Sequence, residues 1–181
     1  MPEALIVIDI QNDYFPGGRM ELVGAEEAAR VAAGLLARFR AACLPVLHIR
    51  HENLRPGSTF FLPGTAGAEI HPLAAPLPGE AVITKHYPSS FRETDLLDLL
   101  SAMSIDRLTL CGMMTHMCVD TTVRAAFDLG FSCRLAADAC ATRDLSFGGR
   151  TAAAADVQTA YLAALGAVFA QVAPAAELAL P

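Results

Sequence analysis

Six short runs rich in Val, Ile and Leu alternate with stretches of helical periodicity along the 181 residues. This alternation restricts the fold more than any other feature. Strands covered on both faces read as continuous apolar runs, and parallel strands need a crossover, usually a helix, between one and the next. The runs are ALIVIDI (4–10), PVLHIRH (45–51), AVITK (81–85), RLTLCG (107–112), SCRLAADA (132–139) and AVFAQV (167–172). Between them, residues 25–42 place Ala28, Val31, Leu35 and Phe39 at helical spacing. Residues 94–103 predict a short helix with Thr94 as N-cap, and 116–130 a helix closed by Gly130 at C′. An Ala-rich helix is expected from Thr151 to Leu165. The pattern predicts an α/β fold with a six-stranded, mostly parallel, doubly wound sheet and helices on both faces. No linker or repeat divides the chain, so 1–181 reads as one domain.

Residues 52–79 hold many Pro and Gly and no period; long loops of this kind in compact domains are often functional. No apolar run approaches the roughly 18 residues of a membrane span, and the start, MPEALIVIDI, lacks the basic region of a signal peptide. The net charge of −6, with no Lys/Arg stripe, argues against nucleic-acid and membrane-surface partners. Five cysteines with no C-x-x-C argue for a reducing, cytoplasmic setting. Cys43, Cys111 and Cys133 read as core packing; Cys140 falls in a loop and is undecided.

In open parallel sheets ligands bind beyond the carboxyl ends of the strands. The first run delivers Asp9 there, the third delivers Lys85, and the turn after the fourth delivers Cys118. Singly, each has an ordinary reading: a turn residue, a solvated strand end, a packed thiol. Together, a carboxylate, an ammonium and a thiol form a nucleophilic site. Lys85 and the helix N-terminus would favour the thiolate, and Asp9 would carry its proton to a leaving amine.

VIDIQNDYFPGG (7–18), ITKHYPSSF (83–91) and CGMMTHMCVDTTVRAA (111–126) resemble three segments of the isochorismatase-like cysteine hydrolases, in order and at suitable spacing. FLPGTAGAEIHPLAAPLPGE (61–80) resembles the family's middle loop. The resemblance implies a six-stranded parallel sheet and an Asp-Lys-Cys triad carried by Asp9, Lys85 and Cys118. It also implies a cis peptide at Met113–Met114 and an oxyanion hole from the N–H groups of Met114 and Cys118. GMMTHMCVDTT (112–122) is similar to relatives that open cyclic amides, such as streptothricin hydrolase. The implied reaction cleaves a C–N bond of a small amide, cyclic amide or carbamoyl compound through a thioester. Two alternatives remain at this level: an isochorismatase-type vinyl-ether hydrolase, and a non-catalytic or redox-sensing domain.

Gln11 and Asn12 are candidates to orient Asp9 or bind a substrate oxygen. Phe15, Tyr87 and Phe91 are candidate pocket walls, and His116 a candidate substrate contact. Thr115 reads as an N-cap, and Lys85 with Arg92 could set a field for an anionic substrate. Nicotinamidase relatives bind zinc through an Asp and several His after the second strand. Here HIRHENLRPGSTFF (48–61) has His48 and His51 without Asp-x-His, and His71 and His86 complete no set. The expectation is therefore no catalytic metal, no cofactor, and a substrate other than nicotinamide. Enzymes that resemble this one form homo-oligomers, so a dimer or tetramer is expected, with the 52–79 loop and the apolar tail VAPAAELALP (172–181) as interface material.

Overall fold

The structure is a computed structural model, which describes residues 2–179. Among the described residues eight strands form: β1 (Glu3–Ile8), β2 (Val46–His51), β3 (Ala81–Lys85), β4 (Arg107–Met113), β5 (Ser132–Ala141), β6 (Leu145–Phe147), β7 (Arg150–Ala152) and β8 (Gln171–Ala173). Four α-helices lie between them: α1 (Ala25–Ala41), α2 (Leu96–Ala102), α3 (Asp120–Asp128) and α4 (Ala154–Val168). The main sheet is parallel throughout, in the order β3-β2-β1-β4-β5-β8. The chain winds outward from β1 to β3, then returns to the other side of β1 with β4. The crevice between β1 and β4 is thus the switch point at which ligands bind in open α/β sheets.

The two-residue side-chain period of a strand divides β1 between two cores. Leu5 and Val7 face α1, packing with Leu35, Leu36 and Phe39. Ala4, Ile6 and Ile8 face the opposite layer, with Leu96 and Leu100 of α2, Val123 of α3 and Leu165 of α4. Gly112 lets β4 close on β1 at the crevice: its φ is +131°, and a Cβ there would stand 2.0 Å from the Ile8 carbonyl oxygen.

Several elements differ from expectation. The last helix runs on to Val168, and the last strand is confined to Gln171–Ala173. Residues 167–172 are apolar enough for either state, and periodicity does not separate the two over so short a run. A β6–β7 hairpin turns through Gly148 and Gly149, both at positive φ, and its second strand takes Thr151 and Ala152, where the last helix was expected to begin. β5 extends through Cys140, which is buried. Cys43 is exposed rather than packed; it follows the end of α1 at φ +53°. The described part of the tail is not a free interface: Ala175 and Leu178 are buried, and Arg38 donates to both of their carbonyls. Residues 180 and 181 of that tail lie outside the described residues. Gly130 ends α3 at φ +93°, as a C′ glycine does. Thr94 lies one residue before the N-cap position, which Asp95 fills; its hydroxyl donates to the Ser90 carbonyl and weakly accepts from the Leu96 amide.

Candidate active site

Asp9 follows β1, Lys85 ends β3, and Cys118 lies in a π turn (Thr115–Val119) that joins β4 to α3. Single π turns occur frequently at functional sites. The Met113–Met114 peptide, just before this turn, is cis. Asp9 sits at φ +49°, a left-handed conformation uncommon for a residue with a Cβ; such residues cluster at active sites and ligand clamps.

The Lys85 ammonium is fully buried, and four partners surround it. Its Nζ lies 2.8 Å from Asp9 Oδ2, 2.9 Å from His51 Nδ1, 3.1 Å from the Tyr87 carbonyl oxygen and 3.2 Å from Cys118 Sγ. The Asp9 contact is a close ion pair, with neither carboxylate oxygen aligned for a hydrogen bond. Burial alone would lower the Lys85 pKa, but Asp9 and Cys118 together raise it, so the site holds a cation. An ammonium has no lone pair, so His51 Nδ1 accepts and the imidazole proton is on Nε2. Burial first, and Lys85 second, lower His51 to about 4, which keeps the ring neutral.

Burial pushes the Cys118 thiol up, Asp9 adds to the effect, and Lys85 offsets only part of it. This differs from a thiolate favoured outright by Lys85 and the helix end. The resting arrangement is carboxylate, ammonium and thiol. A shift of the proton from sulfur to Asp9 leaves the total charge of the three unchanged, which makes it far easier than loss of the proton to bulk water.

Asp9, His51 and Cys118 also place a carboxylate oxygen, an imidazole nitrogen and a sulfur within 4.8 Å of one another, close enough to share a metal ion. The Lys85 ammonium lies within hydrogen-bond reach of all three. An ion shared by the three would meet this like charge at close range. His48 points elsewhere, pairing with Glu80 at 2.9 Å. His71 stacks on Phe15 at 3.7 Å between ring centroids, and His86 contacts the Glu52 carbonyl.

A cavity of about 230 Å³ opens over the thiol. Its apolar wall is Tyr14, Phe60, Met114 and Met117; His51, His86 and Asn53 add polar edges, and Arg55 and Arg143 add two guanidiniums. The sequence pointed to Phe15, but its neighbour Tyr14 lines the cavity, while Phe15 is buried against His71. Tyr87 contributes its carbonyl to Lys85, and its ring lies 3.7 Å beneath the Arg92 guanidinium. Arg92 is therefore not the cation over the thiol. Phe91 stacks on Phe131, both half-buried against the edge of the core. His116 turns inward, with Nδ1 2.6 Å from Thr142 Oγ1. Thr115 donates to the Ala141 carbonyl and caps nothing; Met114 is at the N-cap position.

Gln11 and Asn12 brace the loops around the site. Gln11 Nε2 donates to the carbonyls of His51 and Ala68, and its Oε1 accepts from the His51 amide. Asn12 donates to the Ala66 carbonyl. A residue that sequence reasoning missed, Asp13, is buried, and its carboxylate accepts from the amides of Arg19 and Phe61. Gly67 is needed beside it, because a Cβ would stand 2.2 Å from Asp13 Oδ1. These contacts fold the 52–79 loop back over the cavity. His51 was also missed as a neighbour of Lys85. The signal was present, since the two are register partners in the β2–β3 ladder, but register is not legible in either run alone.

Fold and site together describe a parallel α/β sheet with a buried thiol, carboxylate and ammonium at its switch-point crevice. The family model for the isochorismatase domain matches residues 3–177, and the chain belongs to the isochorismatase family. It is 47% identical over 172 residues to the uncharacterised isochorismatase family protein YddQ of Bacillus subtilis, spanning 95% of this chain and 96% of that one. It is 38% identical over 146 residues to a streptothricin hydrolase of Streptomyces noursei, spanning 79% of this chain and 51% of that one. A crystal structure from Oleispira antarctica superposes with a TM-score of 0.94 at 51% identity, covering 97% of this chain and 95% of that one. The family's hydrolases include amidases. Among the described residues, no helix is long and apolar enough to cross a membrane.

Proposed function

We propose that the protein hydrolyses a C–N bond of a small amide, cyclic amide or carbamoyl compound, with Cys118 as nucleophile. The observation that carries this reading is the buried Lys85 ammonium set between Asp9 Oδ2 and Cys118 Sγ at the base of a cavity. Asp9 takes the thiol proton as sulfur attacks the carbonyl carbon. The amides of Met114 and Cys118 hold the oxyanion. The C–N bond breaks, and Asp9 returns the proton to the departing nitrogen. Asp9 then deprotonates a water that attacks the thioester, and the acid leaves as the C–S bond breaks and the thiol is re-formed. Lys85 stays charged throughout and needs no metal partner.

The cavity is small beside the roughly 300–1,000 Å³ of drug-sized sites, so the substrate has few heavy atoms. Arg55 and Arg143 favour one that carries a carboxylate near the scissile amide. Small lactams, carbamoyl amino acids and dicarboxylic monoamides, screened by ammonia or amine release, test this reading. Turnover of at least one class is expected, lost in both Cys118→Ala and Asp9→Asn. A vinyl ether screened beside them, turned over by wild type and by Cys118→Ala but not by Asp9→Asn while no amide is cleaved, would transfer the assignment to vinyl-ether chemistry. A reducing cytoplasm suits the exposed Cys43 and the essential thiol. We expect a dimer or tetramer, which the 93% exposed Phe147 on the β6–β7 hairpin favours; a monomer by light scattering would remove that expectation.

A further inference from the structure

We propose that His51 is a positioning residue that fixes the Lys85 ammonium, and that Gln11 in turn fixes His51. The inference rests on the reading of Cys118 as a nucleophile, and it adds a residue outside the Asp-Lys-Cys set. An ammonium has three N–H donors, and those of Lys85 meet His51, the Tyr87 carbonyl and Cys118, while the Asp9 carboxylate pairs with it by charge, all within 3.2 Å. The two closest are Asp9 at 2.8 Å and His51 at 2.9 Å. Asp9 must change charge during catalysis. His51, held neutral by its surroundings, is the close side-chain partner that keeps its charge while the proton moves between Cys118 and Asp9. It keeps the ammonium from following that proton.

The placement of His51 is built into the sheet. Its register partner in the β2–β3 ladder is Lys85, so the two side chains rise side by side from one face. The main chain of His51 is then held at both polar groups by a single side chain. Gln11 Oε1 accepts from the His51 amide at 2.7 Å, and Gln11 Nε2 donates to the His51 carbonyl at 2.8 Å. A residue two positions after Asp9 thereby ties the end of β2 to the end of β1. The ring of His51 forms part of the cavity wall. Its Nε2 has no hydrogen-bond partner among the described residues, so Nδ1 makes the ring's polar contact, with the Phe61 ring 6.1 Å away between centroids.

The test is the rate of Cys118 alkylation by iodoacetamide between pH 6 and 9, read by peptide mass spectrometry, with exposed Cys43 in the same molecule as the reference thiol. His51→Asn keeps an acceptor near the Nδ1 position, whereas His51→Gln and His51→Leu do not. We expect Gln and Leu to slow Cys118 about tenfold at pH 7 and to make its rate climb with pH, while Asn stays near wild type. Thermal melts confirm which variants are folded. If Leu does not fold, Asn against Gln decides. Equal Cys118 profiles in wild type, Asn and Gln would overturn the positioning role. A wild-type Cys118 that alkylates no faster than Cys43, with the same climb with pH, would instead overturn the nucleophile itself.

Discussion

Strand β1 carries a carboxylate at each end, Glu3 as its first residue and Asp9 just after its last, and both are fully buried. Their surroundings differ in kind. Glu3 accepts from Thr109 and lies 3.4 Å from Arg134 and 3.8 Å from Arg107, whose side chains are about one-fifth exposed. Its partners therefore reach water, and nothing there is strained. Asp9 has a left-handed backbone, a partner cation with no exposure, a thiol beside it and a cavity above. Breaking a buried ion pair costs about 3–5 kcal/mol, and a hydrophobic replacement of both partners is often neutral or stabilising. A charge kept at the Asp9 end is thus poor evidence of stability and good evidence of use. Burial alone does not separate the two ends; strain, the thiol and the cavity do.

The largest effect expected from this contrast is on turnover. Cys118→Ala and Asp9→Asn should each lower kcat/KM at least about ten-thousandfold, as removal of members of a nucleophilic triad does. Glu3→Gln should leave kcat/KM within about twofold while lowering stability by about 1–3 kcal/mol, the range for a lost hydrogen bond to a charged group. Urea unfolding and steady-state kinetics on the same preparations check both ends at once. A Glu3 variant that lost turnover without losing stability would break the comparison. Next in size is Gly112→Ala. Its Cβ would meet the Ile8 carbonyl at 2.0 Å where β4 closes on β1. We expect destabilisation above about 3 kcal/mol by chemical unfolding, since strand backbone on both sides would have to move.

The two ends were not equally legible in the sequence. The order of elements and the three chemical residues of the crevice follow from short apolar runs and what ends each one. The cavity wall was harder to read. Tyr14 and Phe15 are adjacent and both aromatic, and only the turn at Asn12–Tyr14 decides which ring faces the thiol. Gln11 looked like a substrate amide because it follows Asp9 by two residues, yet its partners, His51 and Ala68, lie 40 and 57 residues away. His51 was hidden by register, and Asp13 by the fold-back of a loop without periodicity. Each miss concerns a contact between segments far apart in sequence, which local pattern does not encode. The state of Cys118 is a further case. Proximity to Lys85 argues for a thiolate, but burial and Asp9 outweigh it, and burial is known only from the packed structure.

The smallest effect sharpens the comparison by pH. His51, at the carboxyl end of the sheet, is lowered from 6.5 to about 4, first by burial and then by Lys85. Between those values the unfolded chain binds a proton that the folded chain does not, so stability falls as pH falls from 6.5 towards 4. Glu80 precedes β3 at the opposite end and is lowered from 4.5 to about 2, chiefly by its hydrogen bonds with Arg40. Its contribution is complete above 4.5 and is lost as pH falls towards 2. Burial lowers His48 and His116 as well, so the upper limb of the stability curve belongs to several histidines. His51→Asn should therefore flatten only part of the loss in melting temperature between pH 6.5 and 4. Glu80→Gln should flatten the limb below 4.5 and, by taking the carboxylate away from His48, steepen the upper one slightly. If His51→Asn left the upper limb at full slope, His51 would share water with the cavity more than its packing against Lys85 allows. Charge at the two ends of the sheet would then differ in strain but not in solvation.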